Sequence, residues 1–244
     1  MRFSVVVPVY NEQDNVLPLA AEMAALAGLG IEEILLVDDG STDATPRRLR
    51  EAQHRHPGLR VLRHGARRGQ SAAIRSGVQA ARAPWVATLD GDGQNDPRDL
   101  ALLVEAACGP RAGDGLALVA GLRRVRRDPW TKRAASRLAN AVRNALLHDG
   151  CPDTGCGLKL FRRDAFLALP FFAGMHRFLP ALFQMHGHRV LYVPVSHRPR
   201  LSGRSKYANL PRALVGLVDL LGVWWLRRRT PAPVPVEEQN GPAT

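Results

Sequence analysis

Phe3-Ser4-Val5-Val6-Val7-Pro8-Val9-Tyr10-Asn11-Glu12 opens as a β-branched run and ends in polar groups. The same change recurs down the chain. Ile31–Val37 runs into Asp38-Asp39-Gly40-Ser41, and Trp85–Leu89 runs into Asp90-Gly91-Asp92-Gly93-Gln94. A further short run, Arg60–Arg63, precedes the last of these. Between the runs, Val16–Leu26 and Ser71–Ala81 carry apolar residues at helical spacing. Short apolar strands alternating with helices predict an α/β fold with a mostly parallel central sheet flanked by helices. Ligands of such sheets bind beyond the carboxyl ends of the strands, where these polar clusters fall.

The second half is less regular. Leu116–Gly121, Gly157–Phe161 and Arg189–Val195 read as strands. Trp130–Leu147 reads as a helix with a basic face, and roughly Phe178–Met185 as a shorter one. A basic loop, His197–Lys206, leads to the apolar stretch Leu210–Leu226 and then Arg227-Arg228-Arg229. The Pro-rich and acidic tail, 230–244, has no core-forming pattern and is expected to be disordered.

The chain has 244 residues, 45% of them hydrophobic, enough for one substantial domain. Its 34 Lys and Arg against 22 Asp and Glu give a net charge of +12, which points to anionic partners. Cys108, Cys151 and Cys156 are too few and too irregular for a disulfide framework or a zinc site. Met1-Arg2-Phe3-Ser4 runs straight into the first strand, so no signal peptide is expected.

Asp90 and Asp92 are two residues apart, with Gly91 and Gly93 letting the backbone approach a ligand closely. Two carboxylates on a tight turn suit a hard cation such as Mg²⁺ or Mn²⁺, with Gln94 adding a carbonyl oxygen or binding a diphosphate. Asp-x-Asp alone also describes a solvated turn. A second acidic pair, Asp38-Asp39, at the parallel position one βα unit earlier strengthens the binding reading. Its carboxylates can accept hydrogen bonds from a ribose or base, while Ser41-Thr42-Asp43 would start a helix well.

Val5–Glu12, Val37–Asp43 and Asp90–Gln94, in this order and spacing, resemble the family-2 glycosyltransferases of GT-A fold, as does Gly69-Gln70-Ser71-Ala72-Ala73. The resemblance implies an inverting sugar transfer from a UDP- or GDP-sugar, with Mg²⁺ or Mn²⁺ as cofactor. It implies that Asp90, Asp92 and Gln94 serve the metal, the diphosphate and catalysis. Pro8, Tyr10, Asn11, Glu12, Asp38, Asp39 and Gly69 would lie at the donor nucleotide and its diphosphate.

Two later segments narrow the resemblance to the polyprenyl-phosphate glycosyltransferases, which are similar to dolichol-phosphate mannose synthase. They are Asp153–Arg163 and Arg200-Leu201-Ser202-Gly203-Arg204-Ser205-Lys206-Tyr207. The subgroup implies that Arg200 and Lys206 clamp the donor diphosphate. Arg123, Lys132 or its neighbour Arg133, Ser136 and Ser205 would then hold the acceptor phosphate. A phosphomonoester with a second pKa of about 6 needs no base to become a nucleophile. A hydroxyl acceptor, the alternative, needs one, and Asp153 is the candidate.

Leu210–Leu226 at ~1.5 Å per residue would be about 25 Å long, short of the ~30 Å hydrocarbon core, and Asp219 interrupts it. An interfacial amphipathic helix over 210–229 is expected, with Trp224, Trp225 and the arginines at the headgroups. Burial in the protein's own core is the alternative. The organisation read from sequence is a catalytic domain over 1–209, this helix, and the tail. The implied place is the cytoplasmic face of the plasma membrane, as a peripheral protein. A basic nucleic-acid-binding protein is a rival reading, but no recognition helix, RNP segment or zinc finger is present, and nucleic acid is not an expected partner.

Overall fold

β1 (Phe3–Val9) is an interior strand of the sheet. Around it lie β2 (Ile31–Asp38), β3 (Leu59–Arg63), β4 (Trp85–Thr88), β5 (Leu116–Arg123), β6 (Lys159–Arg162) and β7 (Arg189–Val195). The computed structural model describes residues 1–123, 141–199, 209–231 and 234. The sheet order is β3-β2-β1-β4-β6-β5-β7. β1, β2, β3 and β4 pair in parallel, as do β5 and β7, whereas β6 is antiparallel to both of its neighbours. The expected mostly parallel sheet is present. The strand expected at Gly157 begins at Lys159.

The helices are α1 (Val16–Ala24), α2 (Thr45–Arg55), α3 (Gln70–Ala80), α4 (Leu100–Cys108), α5 (helical over 141–147), α6 (Arg163–Ala168), α7 (Leu179–Met185) and α8 (Asn209–Arg229). They cover both faces of the sheet. Val5, Val7 and Val9 of β1 point into one apolar cluster with residues of α1, α2 and α4. Val6 points into the other, with α3, α6, α7 and Val223 of α8. A strand buried on both faces reads as a continuous apolar run rather than an alternating one, which is why Val5-Val6-Val7 is unbroken. β6 is held by Phe161, fully buried and stacked on Phe166 at 4.8 Å between ring centroids. Truncating Phe161 to Ala would cost about 3–5 kcal/mol.

α2 starts later than Ser41-Thr42-Asp43 suggests. Its first residue is Thr45, whose N–H donates to Asp43 Oδ1 at 2.9 Å, and Pro46 sits in the first turn. Ser41 and Thr42 instead bond to the loop after β1.

α8 is longer than the apolar stretch that marks it, because Asn209 and the arginines 227–229 extend it at both ends. At ~1.5 Å per residue it reaches about 31 Å, yet no described helix is long and apolar enough to cross a membrane. α8 has one face against the body and one in solvent. Leu220 and Val223 are buried against the body, while Val215, Leu217, Val218, Leu221 and Trp225 are exposed. Asp219, which interrupts the apolar run, accepts from Arg177 Nη2 at 2.8 Å and so fastens α8 to the catalytic body.

Candidate active site

The register brings three strand ends to one level. Val9 pairs with Asp38, the Asp39 N–H donates to the Val9 carbonyl at 2.9 Å, and Thr88 of β4 leads through Leu89 to Asp90. A cleft of about 710 Å³ opens above them. Pro8, Tyr10, Asn11, Glu12, Asp39, Gly69, Asp90, Asp92, Gln94 and Arg123 all line it. Ten of the predicted site residues therefore meet in one place.

The loops after β1 and β2 are stitched together. Asn11 takes a left-handed conformation, φ 52°, which Asn tolerates better than most residues. Its N–H donates to Ser41 Oγ at 2.9 Å, and its Oδ1 accepts from the Thr42 N–H at 2.9 Å. The Glu12 N–H donates to Thr45 Oγ1 at 2.8 Å, and Glu12 Oε2 accepts from Asn15 Nδ2 at 2.6 Å.

Asp38 and Asp39 part company. Asp39 lines the cleft and accepts the N–H groups of Arg68 and Gly69 at 2.8 and 2.7 Å. His64 Nδ1 lies 2.8 Å from it. A carboxylate only accepts, so that nitrogen carries a proton, and Nε2 lies 3.0 Å from Ser76 Oγ. Asp38 faces away from the cleft and is fully buried. It accepts from the Ser41 N–H at 2.9 Å and lies 3.2 Å from Arg63 Nε. Of the two expected carboxylates, Asp39 lines the cleft and Asp38 does not. Asp38 is the last residue of β2, and its side chain turns to the opposite side of the sheet from its neighbour's.

The Asp90–Gln94 turn lies close over β1. A Cβ on Gly91 would come within 2.8 Å of the Pro8 carbonyl oxygen, so only glycine fits. Gly157 is constrained in the same way by the Asp90 carboxylate, whose atoms a Cβ there would meet at 2.3–2.5 Å. Buried Asn95 accepts the Asp90 N–H at 3.0 Å, and Asp92 Oδ1 accepts the Gln94 N–H at 3.1 Å.

Burial and then the Asp92 carboxylate push the Asp90 carboxyl up to about 6, against the pull of Lys159, a hydrogen bond from Gln70 and Arg123. Gln70 Nε2 donates to Asp90 Oδ1 at 2.8 Å. Two carboxylates in mutual repulsion at a cleft floor fit a divalent cation, whose charge would relieve both. Among the described residues no group of three or more His, Cys, Asp and Glu side chains is placed to hold a metal. Asp90, Asp92 and Gln94 would therefore supply only part of a shell, leaving the rest to ligand and water oxygens.

Several cleft residues carried no role in the sequence reading. Antiparallel β6 sets Lys159 opposite Thr88, so a buried ammonium lies beside the carboxylates, donating to the Cys156 carbonyl. The guanidinium of Arg67 lies 4.3 Å from the centre of the Tyr10 ring. Ser71 Oγ accepts the N–H groups of Gly174 and His176 at 3.1 and 3.3 Å, and lies 2.7 Å from His176 Nδ1. Behind the cleft lining, Arg198 braces the Asp90–Gln94 turn. Its N–H donates to the Gln94 carbonyl at 2.9 Å, and its guanidinium meets Asp96 and Glu22 at 2.7 Å each. Burial raises the Asp96 carboxyl, but hydrogen bonds from Arg98 and Arg198 outweigh it and hold the group down to about 2.

Arg123 reaches the cleft already engaged. Its Nε and Nη2 donate to Asp153 Oδ2 and Oδ1 at 2.7 and 2.6 Å. This bidentate pair occupies the carboxylate that a hydroxyl acceptor would need as base. Lys132, Arg133, Ser136, Arg200, Ser205 and Lys206, with Trp130, lie outside the described residues.

A mostly parallel sheet with paired carboxylates at the end of its fourth strand defines a GT-A fold. The chain belongs to glycosyl transferase family 2, whose model matches residues 4–169. Particular relatives are closer in sequence. Over 222 residues the chain is 38% identical to the undecaprenyl-phosphate 4-deoxy-4-formamido-L-arabinose transferase of Edwardsiella ictaluri, which covers 89% of this chain and 65% of that protein. It is 34% identical over 239 residues to the dodecaprenyl-phosphate galacturonate synthase of Rhizobium johnstonii, covering 96% and 69% respectively. The chain thus spans a little under two thirds of the Edwardsiella protein. Among solved structures, glucosyl-3-phosphoglycerate synthase from Mycobacterium tuberculosis in complex with Mn²⁺, UDP and glucosyl-3-phosphoglycerate matches with a TM-score of 0.69 at 20% identity. It covers 94% of this chain and 81% of that one, a likeness of fold.

Proposed function

We propose that this chain transfers a sugar, with inversion, from a UDP- or GDP-sugar to a polyprenyl phosphate. The product is a lipid-linked sugar made at the cytoplasmic face of the plasma membrane by a peripheral enzyme. The observation that carries the reading is the Asp90–Asp92 pair, flanked by Lys159 and Arg123, on the floor of the cleft. The names of the relatives support the acceptor: both are prenyl-phosphate transferases or synthases. The structural neighbour, which binds Mn²⁺ and UDP, supports the metal and the nucleotide.

On this reading Pro8, Tyr10, Asn11, Glu12, Asp39 and Gly69 receive the nucleotide. Asp90, Asp92 and Gln94 hold Mg²⁺ or Mn²⁺, which when bound neutralises the departing diphosphate. Lys159 adds positive charge to the same floor. The acceptor phosphate is already an anion at neutral pH, so no side chain has to remove a proton from it. The Arg123–Asp153 pairing favours this over a hydroxyl acceptor, because Asp153 spends both oxygens on a guanidinium. The exposed face of α8, with Trp225 and the arginines 227–229, is the surface that would rest on the bilayer.

The test is a transfer assay with the purified chain, Mg²⁺ or Mn²⁺, undecaprenyl phosphate and a panel of UDP- and GDP-sugars, read by mass spectrometry of the lipid. A chelator-sensitive prenyl-phosphate sugar is expected. Nucleotide release that requires a soluble hydroxyl acceptor, with the lipid left unchanged, would overturn the acceptor.

A further inference from the structure

We propose that Arg177 binds the phosphate monoester of the acceptor, and that Asp219 on α8 is its positioning residue. The inference rests on the acceptor reading above and adds a residue that sequence did not suggest. It begins from how the cleft's cations are used. Arg123 gives two donors to Asp153 in a bidentate pair. Arg177 also lines the cleft, but it gives Asp219 a single hydrogen bond, Nη2 to Oδ2 at 2.8 Å. Its Nε is buried with no protein partner. A guanidinium has five N–H donors in a rigid fork that matches a phosphate. Fastened at one point, it keeps a fixed direction and spare donors.

The location suits an anion that arrives from the lipid side. Arg177 follows His176, which the Ser71 hydroxyl holds at the start of α3, next to the Gln70 that bonds Asp90. On its other side stands α8, whose neighbouring residues Val215, Leu217, Val218 and Leu221 are exposed and apolar. A phosphate with an apolar tail bound at Arg177 would therefore have its charge toward the carboxylate-and-metal floor and its tail beside an apolar surface. Asp219 makes the connection between the two. A shift of α8 moves the carboxylate that sets the guanidinium's direction, so the seating of this helix adjusts the acceptor site.

The experiment measures binding of the full chain to phosphatidylcholine vesicles carrying either undecaprenyl phosphate or undecaprenol, with Mn²⁺–UDP binding as a control. Wild type is expected to prefer the phosphate vesicles. Arg177→Gln is expected to lose that preference by roughly tenfold, the scale of a charge-assisted hydrogen bond. Arg177→Lys should retain part of it. Asp219→Asn should lower it roughly threefold, with Asp219→Glu restoring it and Mn²⁺–UDP binding unchanged. Competition by inorganic phosphate, added to the wild type, separates a site for any phosphate from one that needs the lipid. A preference that survives in Arg177→Gln would overturn this assignment alone. If wild type does not distinguish the two vesicles, the acceptor reading falls, and this inference with it.

Discussion

At the ends of β1 and β2 the cleft wall is backbone and short side chains, whereas opposite them it carries long cations, Arg123 and Arg177, each held by a carboxylate from another segment. Asn11 bonds to Ser41 and Thr42, and Glu12 to Thr45, across two loops that each directly follow a strand. On the other side, Arg123 waits on Asp153, Arg177 on Asp219, and His176 on Ser71. The first wall joins two loops that directly follow paired strands. The second also draws on segments that no strand pairing links, as where Ser71 meets His176.

The contrast breaks most sharply at the floor between the walls. Asp92→Asn should lower turnover on the order of 10³-fold, the scale of losing a group that stabilises transition-state charge, with circular dichroism and Tm nearly unchanged. Normal turnover in that variant would remove the metal from the account.

On the cation side, Asp153→Ala leaves Arg123 half-buried without its partner. It should cost about 2–4 kcal/mol in chemical denaturation, and the double variant with Arg123→Gln should recover part of this. If Asp153 instead served as a base, Asp153→Asn would lower kcat and change its pH profile at unchanged stability.

A smaller effect tests the repulsion at Asp90. Its carboxyl is raised from 3.8 to about 6, so in the folded protein ionising it is a cost that the unfolded chain does not bear. That cost is present above about pH 6 and is relieved as the pH falls toward 4. Metal-free Asp90→Asn should therefore be more stable than wild type by on the order of 1–2 kcal/mol at pH 7.5, the gap closing by pH 4. Asp96, held down to about 2, acts in the opposite sense, contributing stability at neutral pH that is lost on acidification. The comparison is accordingly made between the two proteins rather than along one curve. A gap that does not depend on pH would show that neither burial nor the Asp92 carboxylate raises the Asp90 carboxyl.

The smallest signal is a calorimetric one. With no cluster of three metal-holding side chains among the described residues, Mn²⁺ should bind weakly alone and tightly with UDP. Tight binding without nucleotide would mean that the protein completes the shell itself.

How far the sequence carried obeys the same division. Val5-Val6-Val7, Ile34-Leu35-Leu36 and the polar turns after them announce parallel strands, because a strand buried on both faces must be apolar throughout. Asp39, Asp90, Asp92 and Gln94 were legible because each stands directly after such a run. Asp38 and Asp39 look alike in a string of letters, yet only Asp39 lines the cleft, because adjacent strand-end side chains point to opposite sides. The helix expected over 210–229 differs from α8 by one residue, Asn209.

By itself the sequence determined the sheet, the order of its motifs and the carboxylates at its edge, since these depend on local periodicity and on the residues directly after each strand. Only the tertiary structure decided what the cations do. Lys159 reaches the floor because β6 turns antiparallel and sets it opposite Thr88. Asp219, out of place in an apolar helix, finds Arg177 only across a fold. A charge becomes a ligand, a brace or a surface group according to the partner that packing brings within hydrogen-bonding distance, and no spacing along the chain encodes that distance.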